Sequence, residues 1–377
     1  MDKVVEVIMT KRYKLAISFL ISVILVSCGA PSTNQTIESD GFPLEEHWSY
    51  DLGVPIYKLA VTDEIIAVGR SDGVTAIDVE TGKLLWSLDF SLATDSRIAF
   101  TEDSLIAANS IKKQILIIGK KGEEIKKFNL DSTESFEILA VYSRFVFVRR
   151  IPSWNLEVYD LHKGIKAWQI FIGRGSTSIS YDLEADIAYV ATSSFIGAYN
   201  ARNGDKIWKF SNVARAGVLD SGTFFYYSEG SKTNNKKAGY IYAMDAQEEN
   251  QLWSMEIPLQ IRTSIYNLTI INDMLVVSTD FGLIAINKID GSEMWQSETN
   301  EFFYGKPIMI SDIIFIRGTN TKVIYAISPD DGQYLGCLNL GTPFLISTSQ
   351  RENDILYKSK QFLIFTFENL VYSYQLK

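Results

Sequence analysis

The sequence is poor in the residues from which most enzyme centres are built. Its 377 residues include two histidines, His47 and His162, and two cysteines, Cys28 and Cys337. None stands at metal-ligand spacing from another, so a Cys/His zinc centre is excluded. His162 lies in a turn sequence, Asp160-Leu161-His162-Lys163-Gly164, and His47 sits beside Trp48. Neither has the setting of a triad base. A basic excess is missing too: the formal net charge is -9 and the pI about 5.0, which argues against nucleic acid as a partner. Between 44 and 377 nothing reads as a long amphipathic helix. We assign no catalytic, cofactor-binding or metal-binding residue from the sequence.

What the chain does have is a repeat. The stretch Ala76-Ile77-Asp78-Val79-Glu80-Thr81-Gly82-Lys83-Leu84-Leu85-Trp86 returns at Val158 to Trp168, Gly197 to Trp208, Ala243 to Trp253 and Ala285 to Trp295. Each copy puts Asp or Asn eight positions before its Trp: Asp78, Asp160, Asn200, Asp245 and Asn287. Gly82, Gly164, Gly204 and Gly291 stand four before it, and Asn250 is close to that place in the remaining copy. Residues that accept a positive φ there predict a tight hairpin between two strands. The polar residue before each turn raises the question of calcium. Short polar side chains at strand ends bond their own turn backbone, and we read them so.

The spacing supplies the architecture. Trp86 to Trp168 is 82 residues, twice 41, and the following intervals are 40, 45 and 42. Units of about 40 residues with short alternating strands are blades of a β-propeller. One alternating run per unit supplies inner strands, such as Ile65 to Val68, Phe145 to Val148 and Ile313 to Ile316. Two degenerate copies complete the count. Around Lys120-Lys121-Gly122 the Trp slot holds Lys126, and around Asp330-Asp331-Gly332 it holds Gly336. At the ends, Glu46 to Leu52 carries a Trp and lacks a preceding strand, whereas Asn369 to Leu376 is a preceding strand with no Trp strand after it. Pairing them makes one composite blade and removes exposed edges. The expected fold is an all-β, eight-bladed propeller over 44–377, or seven-bladed if the Lys126 copy is not a full blade.

Before that ring the chain is different. Lys11, Arg12 and Lys14 precede Leu15 to Val26, twelve residues that are apolar apart from two serines. This is a secretory signal within 1–27, with Met9 a second candidate start, and its apolar core is too short for a permanent membrane span. Leu25-Val26-Ser27-Cys28 resembles the lipobox of bacterial lipoproteins, which implies lipidation (palmitate) of Cys28 as residue one of the mature chain. Residues 28–43, rich in Ser, Thr, Asn, Gln and Pro, read as a tether. With Cys28 lipidated, Cys337 is left as a small buried apolar residue, and no intrachain disulfide is expected.

The Trp hairpin resembles the pyrroloquinoline quinone (PQQ)-type propeller repeat, in which the Trp docks against the neighbouring blade. Trp48, Trp86, Trp168, Trp208, Trp253 and Trp295 match that place. Together with the lipobox and the length, the chain is similar to propeller lipoproteins of the BamB family. That resemblance implies a non-enzymatic scaffold, monomeric within a complex, that binds a BamA-like barrel protein in assembly of outer-membrane β-barrel proteins. It implies the outer membrane, facing the periplasm, if the cell has one, and the cell surface otherwise; Gly29 lacks the Asp that retains lipoproteins at an inner membrane. The family's partner turn implies Ile172 and Arg174 in Phe171-Ile172-Gly173-Arg174-Gly175-Ser176, with Arg262 competing; Gly173 departs from the apolar residue of that turn. Two alternatives stand beside this reading: a propeller lipoprotein with another binding partner, and a PQQ-dependent dehydrogenase. The second is disfavoured because this chain lacks the vicinal Cys pair and insertions of those enzymes. Glu229 to Gly239 is a Lys/Asn/Gly-rich insertion, read as a surface hairpin tip.

Overall fold

The computed structural model describes residues 38–376 except 91, 93–97, 110, 131–133, 176, 212–213, 215, 230–236, 260–264, 281, 299–302, 304, 319–322, 341–355 and 368. The signal segment, Cys28 and Arg262 therefore lie outside the described residues. So does the tip of the Glu229 to Gly239 insertion, whose flanks pair as extended strands, Glu229 opposite Gly239.

Each repeat becomes four antiparallel strands, and the recurring hairpin joins the third to the fourth. Blade 1 comprises Ile56–Val61, Ile65–Arg70, Gly73–Asp78 and Leu84–Asp89. Its hairpin closes as expected: Gly82 N–H donates to the Asp78 carbonyl at 3.0 Å with φ of 67°. Blades 2 to 7 start at Ile98, Ser135, Thr177, Ala216, Ile265 and Ile308. The Lys126 copy is a full four-stranded blade, so the count is eight. In blade 5 the left-handed turn residue is Glu249, at φ 62°, and not its neighbour Asn250. The four-residue spacing to Trp253 overrides the residue preference there.

Blade 8 is the composite. Leu44–Asp51 pairs with Leu370–Leu376, and Tyr357–Ser359 and Phe362–Phe367 complete the sheet. Eight apolar clusters fill the eight gaps between neighbouring blades. The last joins Trp48, Ile364 and Val371 of blade 8 to Ile66 and Ile77 of blade 1, which closes the ring. Because every blade is covered on both faces, its middle strands are apolar throughout: Ile65 to Gly69 and Ser104 to Asn109 are fully buried runs.

A bulge recurs before every Trp slot. Ala76 faces Trp86 and Ile77 faces Leu84, so Leu85 has no partner. The same skip falls on His47, Ile125, Ala167, Ile207, Leu252, Met294 and Leu335. A bulge bends the outer strand and re-aims the next side chain, here inward to the following blade. It also explains why Leu85, Ile125, Ile207, Leu252, Met294 and Leu335 are exposed.

Two features differ from the sequence reading. Glu38–Asp40, placed in the tether, forms a fifth strand on blade 7 against Cys337 to Asn339. Phe42 beyond it is buried against Phe315 and Tyr374. Cys337 is buried as expected, but it is disulfide-bonded, against the expectation of none. The sequence offers one intrachain partner, Cys28.

Candidate functional site

The ring has two unlike ends. At one, the recurring hairpins and the turns between first and second strands are short. There the polar residues of the repeat bond their own turns. Asp78 Oδ1 accepts from Thr81 N–H and Thr81 Oγ1–H, both at 2.7 Å. Asp160, Asn200, Asp245 and Asn287 accept from backbone N–H groups two residues on. Thr81 is the main reason the Asp78 carboxyl is held below its ordinary value. Among the described residues no three His, Cys, Asp or Glu side chains group as metal ligands.

The tryptophans of the repeat reach these turns from the blade before. Trp48, Trp86, Trp168, Trp208, Trp253 and Trp295 donate their indole N–H to the carbonyls of Val79, Lys120, Ala201, Ala246, Lys288 and Pro329. In the degenerate blade 2, Lys126 substitutes: its ammonium donates to the Leu161 and His162 carbonyls at 3.4 and 3.2 Å. Gly336 has no such task. It faces blade 8, whose third and fourth strands come from opposite chain ends, so there is no hairpin turn to dock on. The two sequence histidines are structural as well. His47 stacks on Phe362 with centroids 5.1 Å apart, and its Nε2 lies 2.8 Å from the Glu80 carbonyl.

The opposite end carries the links between blades and the loops between second and third strands. Its best-defined feature lies at blade 3. Arg150, at the end of the second strand, is 2% exposed and donates through Nε to Glu157 at 2.6 Å and through Nη2 to the Tyr159 hydroxyl at 2.9 Å. Lys166 adds a bond to Glu157 at 3.1 Å. Burial pushes the Glu157 carboxyl up, but the bonds from Tyr159, Arg150 and Lys166 outweigh it and hold it below the ordinary value. Burial and the bond to Glu157 push Tyr159 up to about 12. This anchored pair of strands fixes the loop above it, where Trp154 N–H donates to the Arg150 carbonyl at 3.1 Å.

Trp154 is half-buried, and two guanidinium groups stand over its ring: Arg149 at 6.0 Å and Arg174 at 5.9 Å from the centroid. Cations over an indole face are attracted by its quadrupole. Arg149 is tied down, donating to the Gly175 carbonyl at 2.9 Å and to Glu137. Arg174 is exposed, and among the described residues no carboxylate pairs with it. Its backbone is held instead, its carbonyl accepting from Ser193 Oγ–H at 3.1 Å.

Of the residues expected at a partner surface, the structure brings Arg174 to it and withdraws Ile172. The Ile172 side chain is 1% exposed within the core between blades 3 and 4, and its N–H donates to the Trp154 carbonyl at 3.0 Å. The apolar side chain that does face solvent is Phe171, 67% exposed. Phe171 and Trp154 escaped the sequence reading. The available signal was Trp154 itself, which stands 14 residues before Trp168 and so outside the repeat period.

A second concavity lies on the ring axis. A cavity of about 480 Å³ is lined by the innermost strands of blades 3 to 6 and by Lys306.

The family described as outer membrane protein assembly factor BamB matches residues 70–216 and 192–358, more than half of the chain. No curated protein sequence matches it. Among solved structures, BamB from Moraxella catarrhalis is 15% identical, with a TM-score of 0.65 over 89% of this chain and 98% of that one. The computationally designed Ika8 protein is 12% identical, with a TM-score of 0.68 over 88% of this chain and 99% of that one. KlHsv2 with its loop 6CD replaced by a Gly-Ser linker is 14% identical, with a TM-score of 0.54 over 74% of this chain and 97% of that one. At these identities the likeness is one of fold.

Proposed function

Because the chain belongs to the family of outer membrane protein assembly factor BamB, we propose that it is a lipid-anchored, non-enzymatic scaffold in the assembly of outer-membrane β-barrel proteins. The anchor is Cys28, and the membrane is the outer one, with the ring on its periplasmic side. The partner is a barrel protein with soluble domains, of the BamA kind, and it docks on the loop-bearing end of the ring at blade 3.

One observation carries this reading. Arg174 is the exposed cation of that end, without a carboxylate among the described residues, and it stands beside the exposed Phe171 and the half-buried Trp154. An aromatic and arginine cluster on a rigid base is the composition of an interface hot spot. The base is rigid here because Arg150, Glu157 and Tyr159 are bonded beneath it. Arg174 also suits an acidic partner surface, which the chain's net charge of -9 would otherwise repel. Arg262 remains a second candidate contact.

The test is affinity capture of the lipidated protein from gently solubilised membranes, with wild type and R174E in parallel. Recovery of an outer-membrane barrel protein by the wild type, lost in R174E, supports the proposal. Equal recovery by both variants moves the interface elsewhere, and the absence of any barrel protein removes the assembly role.

A further inference from the structure

The axial cavity has a chemistry separate from the blade 3 cluster. Its wall is formed by first strands of four successive blades, Ser135–Tyr142, Thr177–Asp182, Ala216–Asp220 and Ile265–Ile271. The side chains lining it are neutral except for one: Leu139, Val218 and Leu268 are apolar, Ser180 and Asn267 polar, and Lys306 is the single charge. Lys306 enters from the link that precedes the first strand of blade 7, Ile308–Ile310, so it stands at the loop-bearing end of the channel.

Lys306 makes no ion pair or hydrogen bond among the described residues, although its surface is open to the channel water. The surrounding wall strips part of its hydration, and this desolvation pushes the ammonium below its ordinary value. Every other strong perturbation of a Lys in the described ring comes from an acid that pairs with it, as Asp220 does with Lys288. Asn267 adds a donor: its Oδ1 accepts from Thr269 Oγ1–H at 3.4 Å, and its amide N–H₂ has no acceptor among the described residues.

A partly desolvated cation without a counter-charge attracts an anion more strongly than a solvated surface lysine does. A single lysine balances a single charge, so a monoanion fits and a phosphate dianion is left half-compensated in an acidic protein. The apolar stretch of wall asks for an apolar body behind the charge. A volume of about 480 Å³ lies within the range of small-ligand pockets. We propose that this channel binds a small monocarboxylate, with its carboxylate on Lys306 and the Asn267 amide and its apolar part against Val218 and Leu268. This inference does not depend on the partner-binding role of blade 3.

The test is calorimetric titration of the full-length protein in detergent with 3-phenylpropionate, its uncharged amide 3-phenylpropanamide serving as the paired probe. The acid is expected to bind with a stoichiometry of one, and the amide roughly tenfold more weakly or worse, the loss expected for one charge-assisted bond. K306M should lose the same factor for the acid and leave the amide unchanged. K306M should also melt no lower than the wild type, because the substitution removes a desolvated charge. The acid and amide comparison needs no variant and stands if K306M fails to fold. Equal binding of acid and amide, no binding of the acid, or an acid affinity that survives K306M would each overturn the proposal and leave Lys306 a solvated channel lysine.

Discussion

Gly82 of blade 1 lies flat under the Trp48 ring of blade 8: a Cβ on Gly82 would stand 2.7 Å from the indole. The same packing recurs around the ring, with Gly122 on Trp86, Gly204 on Trp168, Gly291 on Trp253 and Gly332 on Trp295. Glycine is required twice at these places, once for a positive φ and once for the ring above it.

G82A is therefore expected to destabilise the propeller by about 2–4 kcal/mol, from left-handed strain and overlap with Trp48 together. G222A is the control: it has φ of 79° but nothing within 4 Å of its Cβ, and should cost about 1–2 kcal/mol. Urea unfolding midpoints of the two variants separate the terms. Equal losses would mean that the Trp48 contact adds nothing.

The tryptophans divide by role. W48A removes a ring that docks on blade 1 and bonds Val79, and is expected to cost about 3–5 kcal/mol. W154A removes a half-buried ring on the loop end and should cost about 1 kcal/mol, while weakening partner capture roughly tenfold or more. Thermal melting and capture measured on both variants check this. A large stability loss in W154A would make Trp154 structural.

Acid should loosen blade 3. Glu157 has a folded pKa below its ordinary 4.5, so the unfolded chain binds the extra proton in that window. The stability it contributes is present above pH 4.5 and is lost as pH falls through the folded value. E157Q leaves Arg150 buried without its carboxylate and is expected to cost about 3 kcal/mol at pH 7. Its stability should then fall less steeply than the wild type's below pH 4.5. Parallel pH profiles for the two proteins would remove Glu157 from the acid response.

The Cys28 sulfur has two possible fates. Lipidation would place it in a thioether, which excludes a disulfide with Cys337 through the same atom. In membrane-purified protein we expect the mass of a mature chain starting at Cys28 with a diacylglyceryl group. C28S should leave the membrane fraction. A peptide pair linking Cys28 to Cys337 in that preparation would contradict the anchor and favour the disulfide found at Cys337.

The fold was legible in the sequence because its determinant is local and periodic. A turn residue four before a Trp, repeated about every 41 residues, encodes the hairpin, the bulge and the dock together. Ring closure was legible from complementary defects at Trp48 and Val371. Where one turn broke the pattern, spacing outranked residue type, and Glu249 took the left-handed place. The loop end was less legible, since Trp154, Phe171 and Arg174 come together from two loops whose approach depends on the Arg149 bridge to Gly175. Ile172 and Phe171 are neighbours in a link between blades, and sequence gives no parity for which one faces out. Nor could it place Lys306 on the axis, a position set by ring geometry.

The most direct test of the scaffold account is site-specific photo-crosslinking in intact membranes, with a photoreactive residue at Arg174 on the loop end or at Lys83 on the hairpin end. The account predicts a crosslink from position 174 to the soluble domain of an outer-membrane barrel protein and none from position 83. Crosslinks to that protein from position 83 alone, or from neither position, would contradict it.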